Sequence, residues 1–93
     1  MKVEVGKKYI TASGEIEEII SKGNDYTYQY HDNNNNSYIE NGRCLQYGDE
    51  DDLICEIVPS IYALYVNGII DLKELVLEHI EYYTKQKEFA NLE

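Results

Sequence analysis

The chain has no tryptophan, one phenylalanine and one proline in 93 residues, and eight basic side chains face eighteen acidic ones. The shortage of bases excludes most. A chain of net charge −10 has no means of neutralising a phosphate backbone, so direct nucleic-acid binding is not expected. No apolar run approaches the ~20 residues of a membrane helix, so no membrane partner is expected either. The start, MKVEVGKKYI, lacks the apolar segment of a signal peptide, and the expected location is the cytoplasm. The two cysteines, Cys44 and Cys55, stand without CxxC spacing and read as ordinary buried thiols of that compartment.

Catalytic signatures are missing as well. There is no G-x-S-x-G, no H-E-x-x-H, no phosphate-binding glycine loop and no dinucleotide fingerprint. His31 and His79 are the only imidazoles. His79 falls on the apolar flank of a helical segment between Val76 and Tyr83, where a packed or edge histidine is expected. His31 faces away from a row of tyrosines and is expected at the surface. The tract Asp32-Asn33-Asn34-Asn35-Asn36 has oxygens at calcium-loop positions one, three and five. It then places Ser37 where the turn glycine belongs and Arg43 where the bidentate glutamate belongs. No catalytic residue, cofactor or metal site is expected.

What the chain does have is acid and tyrosine. Asp49, Glu50, Asp51, Asp52 and Glu56 stand within eight residues with no base among them. Such a cluster is either a solvated loop or a surface steered towards a basic partner. Ten tyrosines supply nearly all the aromatic content. Each buries a ring and keeps a wet hydroxyl, which suits half-buried strands and contact surfaces.

The period of the apolar pattern changes once, at Pro59. Before it, short strands alternate with turn signals. Lys7–Thr11 reads as a strand, Ala12-Ser13-Gly14 as a turn, Glu15–Ser21 as a strand and Lys22-Gly23-Asn24-Asp25 as a turn. In Tyr26–His31 the rings of Tyr26, Tyr28 and Tyr30 share one face, which is either the core or an exposed aromatic contact. Asp32–Asn36 reads as a polar hairpin tip. Ser37–Tyr47 holds Asn41-Gly42, the signature of a two-residue type I′ hairpin. Gly48–Asp52 is the acidic loop, and Asp52–Val58 the closing strand.

After Pro59, Ser60–Val66 reads as a short helix stopped at Asn67-Gly68. Asp71 opens a longer helix, to about Ala90, with Glu74 at the capping-box position. Leu72, Leu75, Val76, Ile80 and Tyr83 form its apolar face, and Glu74, Glu78 and Glu81 its outer one, with Leu77 between Lys73 and Glu81. The fold class expected is therefore α+β. A small antiparallel β-barrel or rolled sheet of five or six strands (residues 1–58) is followed by two C-terminal helices (59–93) packed on it as a single domain.

Lys8, Tyr9, Thr11, Gly14, Tyr38, Asn41, Gly42, Arg43, Asp52 and Leu53 fall in a pattern that resembles a small SH3-like β-module found in tailed-phage proteins. The resemblance covers residues 1–58. It implies an SH3-like barrel or rolled sheet and a phage origin, and it carries no catalytic residues. In size and charge the whole chain resembles the small acidic phage inhibitors of the anti-CRISPR type. The function expected is a non-enzymatic, phage-encoded binding protein, a monomer or homodimer acting in the host cytosol. It would occupy the basic, nucleic-acid-binding surface of a host protein as a DNA mimic. The contact residues expected are Asp49, Glu50, Asp51, Asp52, Glu56, Glu74, Leu77, Glu78 and Glu81, with Tyr26, Tyr28 and Tyr30 as a further aromatic contact. The alternative is an accessory phage assembly or replication module without inhibitory role, in which the acids only give solubility and Leu77 and the tyrosines make an oligomer contact.

Overall fold

In a computed structural model the chain is described over residues 2–23, 29–34, 36–44 and 51–91, the last five by backbone alone. It divides into two units, Met1–Ile57 and Val58–Glu93. The first is a five-stranded antiparallel sheet that curls into a half-barrel, and the second holds two helices. This is the α+β arrangement expected, with the change at Pro59.

The strands are β1 (Lys8–Thr11), β2 (Ile16–Lys22), β3 (Tyr30–Asp32), β4 (Ser37–Tyr38) and β5 (Leu53–Glu56), in the order β4-β3-β2-β1-β5. Register shifts between Ile19 and Ser21 and between Ile10 and Thr11 bend the sheet where β2 meets β3 and β1 meets β5. The core is built from Val3, Tyr9, Ile19, Tyr30, Tyr38, Cys44 and Leu53. Its buried tyrosine hydroxyls are satisfied. Tyr9 Oη accepts the Glu4 N–H at 2.8 Å, and Tyr38 Oη donates to Asp32 Oδ2 at 2.8 Å. Tyr30, at 5% exposure, is a core ring, so of its two expected roles it takes packing rather than contact. Tyr26 and Tyr28 lie outside the described residues.

Two turns share one design. In Thr11–Glu15 the Gly14 N–H bonds the Thr11 carbonyl at 3.0 Å, and the Thr11 N–H bonds the Glu15 carbonyl at 2.8 Å. In Ile39–Arg43 the same pair of bonds recurs, Gly42 to Ile39 at 2.9 Å and Ile39 to Arg43 at 3.0 Å. Gly14 and Gly42 have φ of 89° and 96°, where a side chain would be strained. The Asn41-Gly42 hairpin is therefore a three-residue loop ending in a left-handed glycine, not the two-residue I′ turn expected.

The polar tract Asp32–Asn36 is also more than a loop tip. Asp32 closes β3 at 1% exposure. Its Oδ1 accepts the N–H groups of Asn34 and Asn36 at 2.8 and 2.9 Å, and its Oδ2 accepts Asn36 Nδ2 at 3.1 Å and the Tyr38 hydroxyl. His31, next to Asp32 on β3, is half-buried, with Nδ1 3.0 Å from Ser37 Oγ, rather than free at the surface.

In the second unit α1 (Pro59–Val66) starts with proline at its first position, which needs no N–H partner. It ends in a Schellman pair, Ile69 N–H to Leu64 C=O and Gly68 N–H to Tyr65 C=O, as the Asn67-Gly68 signal predicts. α2 (Leu72–Asn91) opens on the expected capping box. Glu74 N–H donates to Asp71 Oδ1 at 2.8 Å, and Asp71 N–H reaches Glu74 Oε1 at 3.4 Å. Leu75 and His79 are buried and Val76 and Tyr83 half-buried. Leu72 and Ile80 are exposed, although the apolar pattern placed both on the inner face. Leu72 belongs to the first turn, and Ile80 sits roughly 100° around the helix from His79, at the margin of the covered face. His79 Nε2 accepts the Val58 N–H at 2.8 Å, and Nδ1 bonds the Leu75 carbonyl at 2.8 Å. This geometry requires the neutral ring with its proton on Nδ1.

Two stability outcomes follow. Asp32→Ala leaves the buried Tyr38 hydroxyl and two loop N–H groups without their acceptor. It is expected to cost on the order of 3 kcal/mol in urea denaturation, with Tyr38→Phe costing less than half of that. A cost under about 1 kcal/mol for Asp32→Ala would show that the carboxylate does not hold the loop. His79→Ala opens a cavity and orphans the Val58 N–H, and is expected to cost about 2–4 kcal/mol by the same measurement.

Candidate functional sites

The acidic cluster does not behave as one group. Asp49 and Glu50 lie outside the described residues. Asp51 is half-buried. Asp52 Oδ1 accepts the Cys44 N–H at 2.7 Å, and its carbonyl accepts the Ala12 N–H at 2.9 Å. This residue therefore ties β5 to the Ile39–Arg43 hairpin and to the turn after β1. Glu56 carries a base that the local sequence does not show. Lys7 Nζ lies 2.9 Å from Glu56 Oε1 and 3.2 Å from Glu4 Oε2. Hydrogen bonds to Glu56 and then to Glu4 hold the Lys7 ammonium well above its ordinary range. The antiparallel register of β1 and β5, which pairs Tyr9 with Glu56, brings them together.

The outer face of α2 is different. Glu74, Glu78 and Glu81 are all exposed. Glu74 spends one oxygen on the weak half of the capping box, and Glu81 meets Lys85 at 3.0 Å. Beside this line Leu77 is 56% and Ile80 53% exposed. Seven large apolar side chains from Leu64 to Tyr82 are exposed in this unit, and no residue of α1 is buried.

A third cluster was not legible as a site. Glu17 on β2, at 5% exposure, accepts Asn34 Nδ2 at 2.7 Å and faces Asp32. Burial, opposed in part by the Asn34 bond and reinforced by the Asp32 charge, raises the Glu17 carboxyl above the ordinary range. The only hint in the sequence is the spacing of Asp32, Asn34 and Asn36, which suits side-chain-to-backbone turns. Among the described residues every buried side-chain polar atom has a partner, and no group of three or more His, Cys, Asp or Glu is placed to hold a metal. The cluster holds Asn34 and Asn36 against Glu17 and Asp32, and its donors are spent internally.

Set against family models, curated proteins and solved structures, the chain matches none. Its own geometry therefore carries the functional argument. No helix among the described residues is long and apolar enough to cross a membrane.

The Glu17 carboxyl generates a pH signature. An acid raised by folding holds its proton in the native chain where the unfolded chain has lost it. Stability from that group is thus complete below the ordinary carboxylate range and lost as pH rises through the raised native value. Glu17→Gln keeps an acceptor for Asn34 and an N–H donor for Asp32. The variant is expected to be as stable as the parent in acid and more stable at neutral pH, in melts across pH 4 to 8, a range set by roughly the ordinary Glu value and the region above it. A variant that loses stability at neutral pH would reverse the assignment.

Proposed function

We propose that the chain is a non-catalytic acidic binding protein. It occupies the basic, nucleic-acid-binding surface of another protein, with carboxylates standing where phosphates would. In a host cytosol this is the work of a phage inhibitor of host defence or nucleic-acid processing. The observation that supports it is the exposed line Glu74, Glu78, Glu81 along α2. At 1.5 Å rise per residue, one carboxylate recurs about every 5 Å, the scale of phosphates along a strand. The loop acids contribute less than their number suggests, since Asp52 is engaged with the Cys44 N–H and Glu56 with Lys7. Asp51 with Asp49 and Glu50 remain as the proposed extension of the charged surface.

A second reading, an accessory assembly module, draws on the exposed Leu77 and Ile80. Salt separates the two, because apolar assembly tolerates salt and charge-steered binding does not.

Exposed ion pairs contribute little singly, so the field of the group sets association rate. Glu78→Lys with Glu81→Lys is expected to slow association with the captured partner at low salt and to flatten its salt dependence, while melting is almost unchanged. The partner is obtained by pull-down from host lysate at low and moderate salt, and a duplex oligonucleotide is expected to displace it. Retention that ignores salt, the oligonucleotide and the double reversal would end the mimicry reading.

A further inference from the structure

The apolar pair beside the glutamate line narrows the kind of partner. Lys73, Leu77, Ile80 and Thr84 follow one another at spacings of four, three and four, so they form a single stripe along α2. At about 100° per residue, Leu77 stands roughly 40° from Glu81 and 60° from Glu74. The stripe is thus apolar at its centre, acidic along one edge, and continuous on the other edge with half-buried Val76 and Tyr83.

We infer that this face binds a basic amphipathic helix of the partner, an inference that rests on the acidic-binding reading above. Residues four and three apart make the ridges that another helix receives in its grooves. Leu77 and Ile80 would seat between apolar residues of the incoming helix, and Glu74, Glu78 and Glu81 would meet Lys or Arg along its flank. A second copy of this chain fits less well. It would bring another glutamate line alongside the first, on molecules of net charge −10 each.

The probe is a synthetic 18-residue (about five helical turns) peptide with Leu at helical spacing and Lys on the flanks, set against a scrambled peptide of the same composition. Binding of each to the full chain is read by fluorescence anisotropy. The ordered peptide is expected to bind at least about tenfold tighter than the scramble, a difference of about 1.4 kcal/mol. Leu77→Ser with Ile80→Ser is expected to abolish that difference with the circular dichroism unchanged, since both side chains are exposed. Glu78→Lys with Glu81→Lys is expected to weaken both peptides.

Equal binding of ordered and scrambled peptides would overturn the helix inference. So would an ordered-peptide affinity that the double serine variant leaves intact. If charge reversal still weakens both peptides in those cases, the acidic-binding reading survives and only the helix inference falls. Sedimentation showing a dimer of the parent that the serine variant dissociates would also overturn it, since a second copy would then be the occupant.

Discussion

A carboxylate at 1% exposure must be surrounded by donors or lose its charge, and Asp32 draws four of them from within six residues. The consequence is topological. Asp32 ends β3, Tyr38 ends β4, and the tract between them is folded back by the bonds from Asn34 and Asn36. A two-residue strand such as β4 has too few ladder bonds to fix its own register. Here the Tyr38 hydroxyl fixes it from the side-chain layer, under the same ring that packs in the core. Glu17, reaching the tract from β2 through Asn34, extends the network across a third strand. The half-barrel is thus closed at this end by a polar knot rather than by further apolar burial, a reasonable solution for a small core rich in tyrosine.

The parts of this fold that were legible in sequence are those governed by local rules. Pro59 separates two periods because a strand pattern and a helix pattern cannot share one run of residues. Asp71 and Glu74 announce a helix start because the orphan N–H groups of a first turn need acceptors at that spacing. Asn41-Gly42 marks a turn, but the type depends on which residues flank the closing pair. Ile39 and Arg43 close it, so the glycine comes third rather than second. Gly14 repeats the arrangement after Thr11, and there the Thr11 hydroxyl adds its own bond to the Glu15 N–H at 3.0 Å.

The parts that were not legible depend on partners distant in sequence. Nothing near Glu17 says that it is buried, because its alternation with Ile16 and Glu18 fits either face of β2. Nothing near Glu56 says that Lys7 lies across from it. A helical wheel gives the directions of Leu72 and Ile80 but not how much of the circle a neighbour covers. The same limit applies to the candidate surface. Sequence counts acids, whereas charge available to a partner is what remains after internal uses are subtracted. Asp52 serves the Cys44 N–H and Glu56 serves Lys7, while Glu78 on α2 serves neither a cap nor one of the ion pairs found along this helix.

On α2 the capping box engages Glu74 and Lys85 engages Glu81, yet both stay exposed along with Glu78, whereas Asp51, Asp52 and Glu56 are half-buried. Carboxylates exposed on a regular helix are held at fixed intervals by the backbone, whereas those of a loop are not. They also lie beside Leu77 and Ile80 on the same rigid element. Charge alone sets the rate at which a basic surface arrives, and a desolvated apolar centre sets how long it stays. The α2 face offers both, with acids along one edge and the apolar pair beside them, and this is the ground for the contact proposed above. On the proposed reading the exposed pair would be the more discriminating half of the surface, and the glutamates would set which partners come near enough to test it.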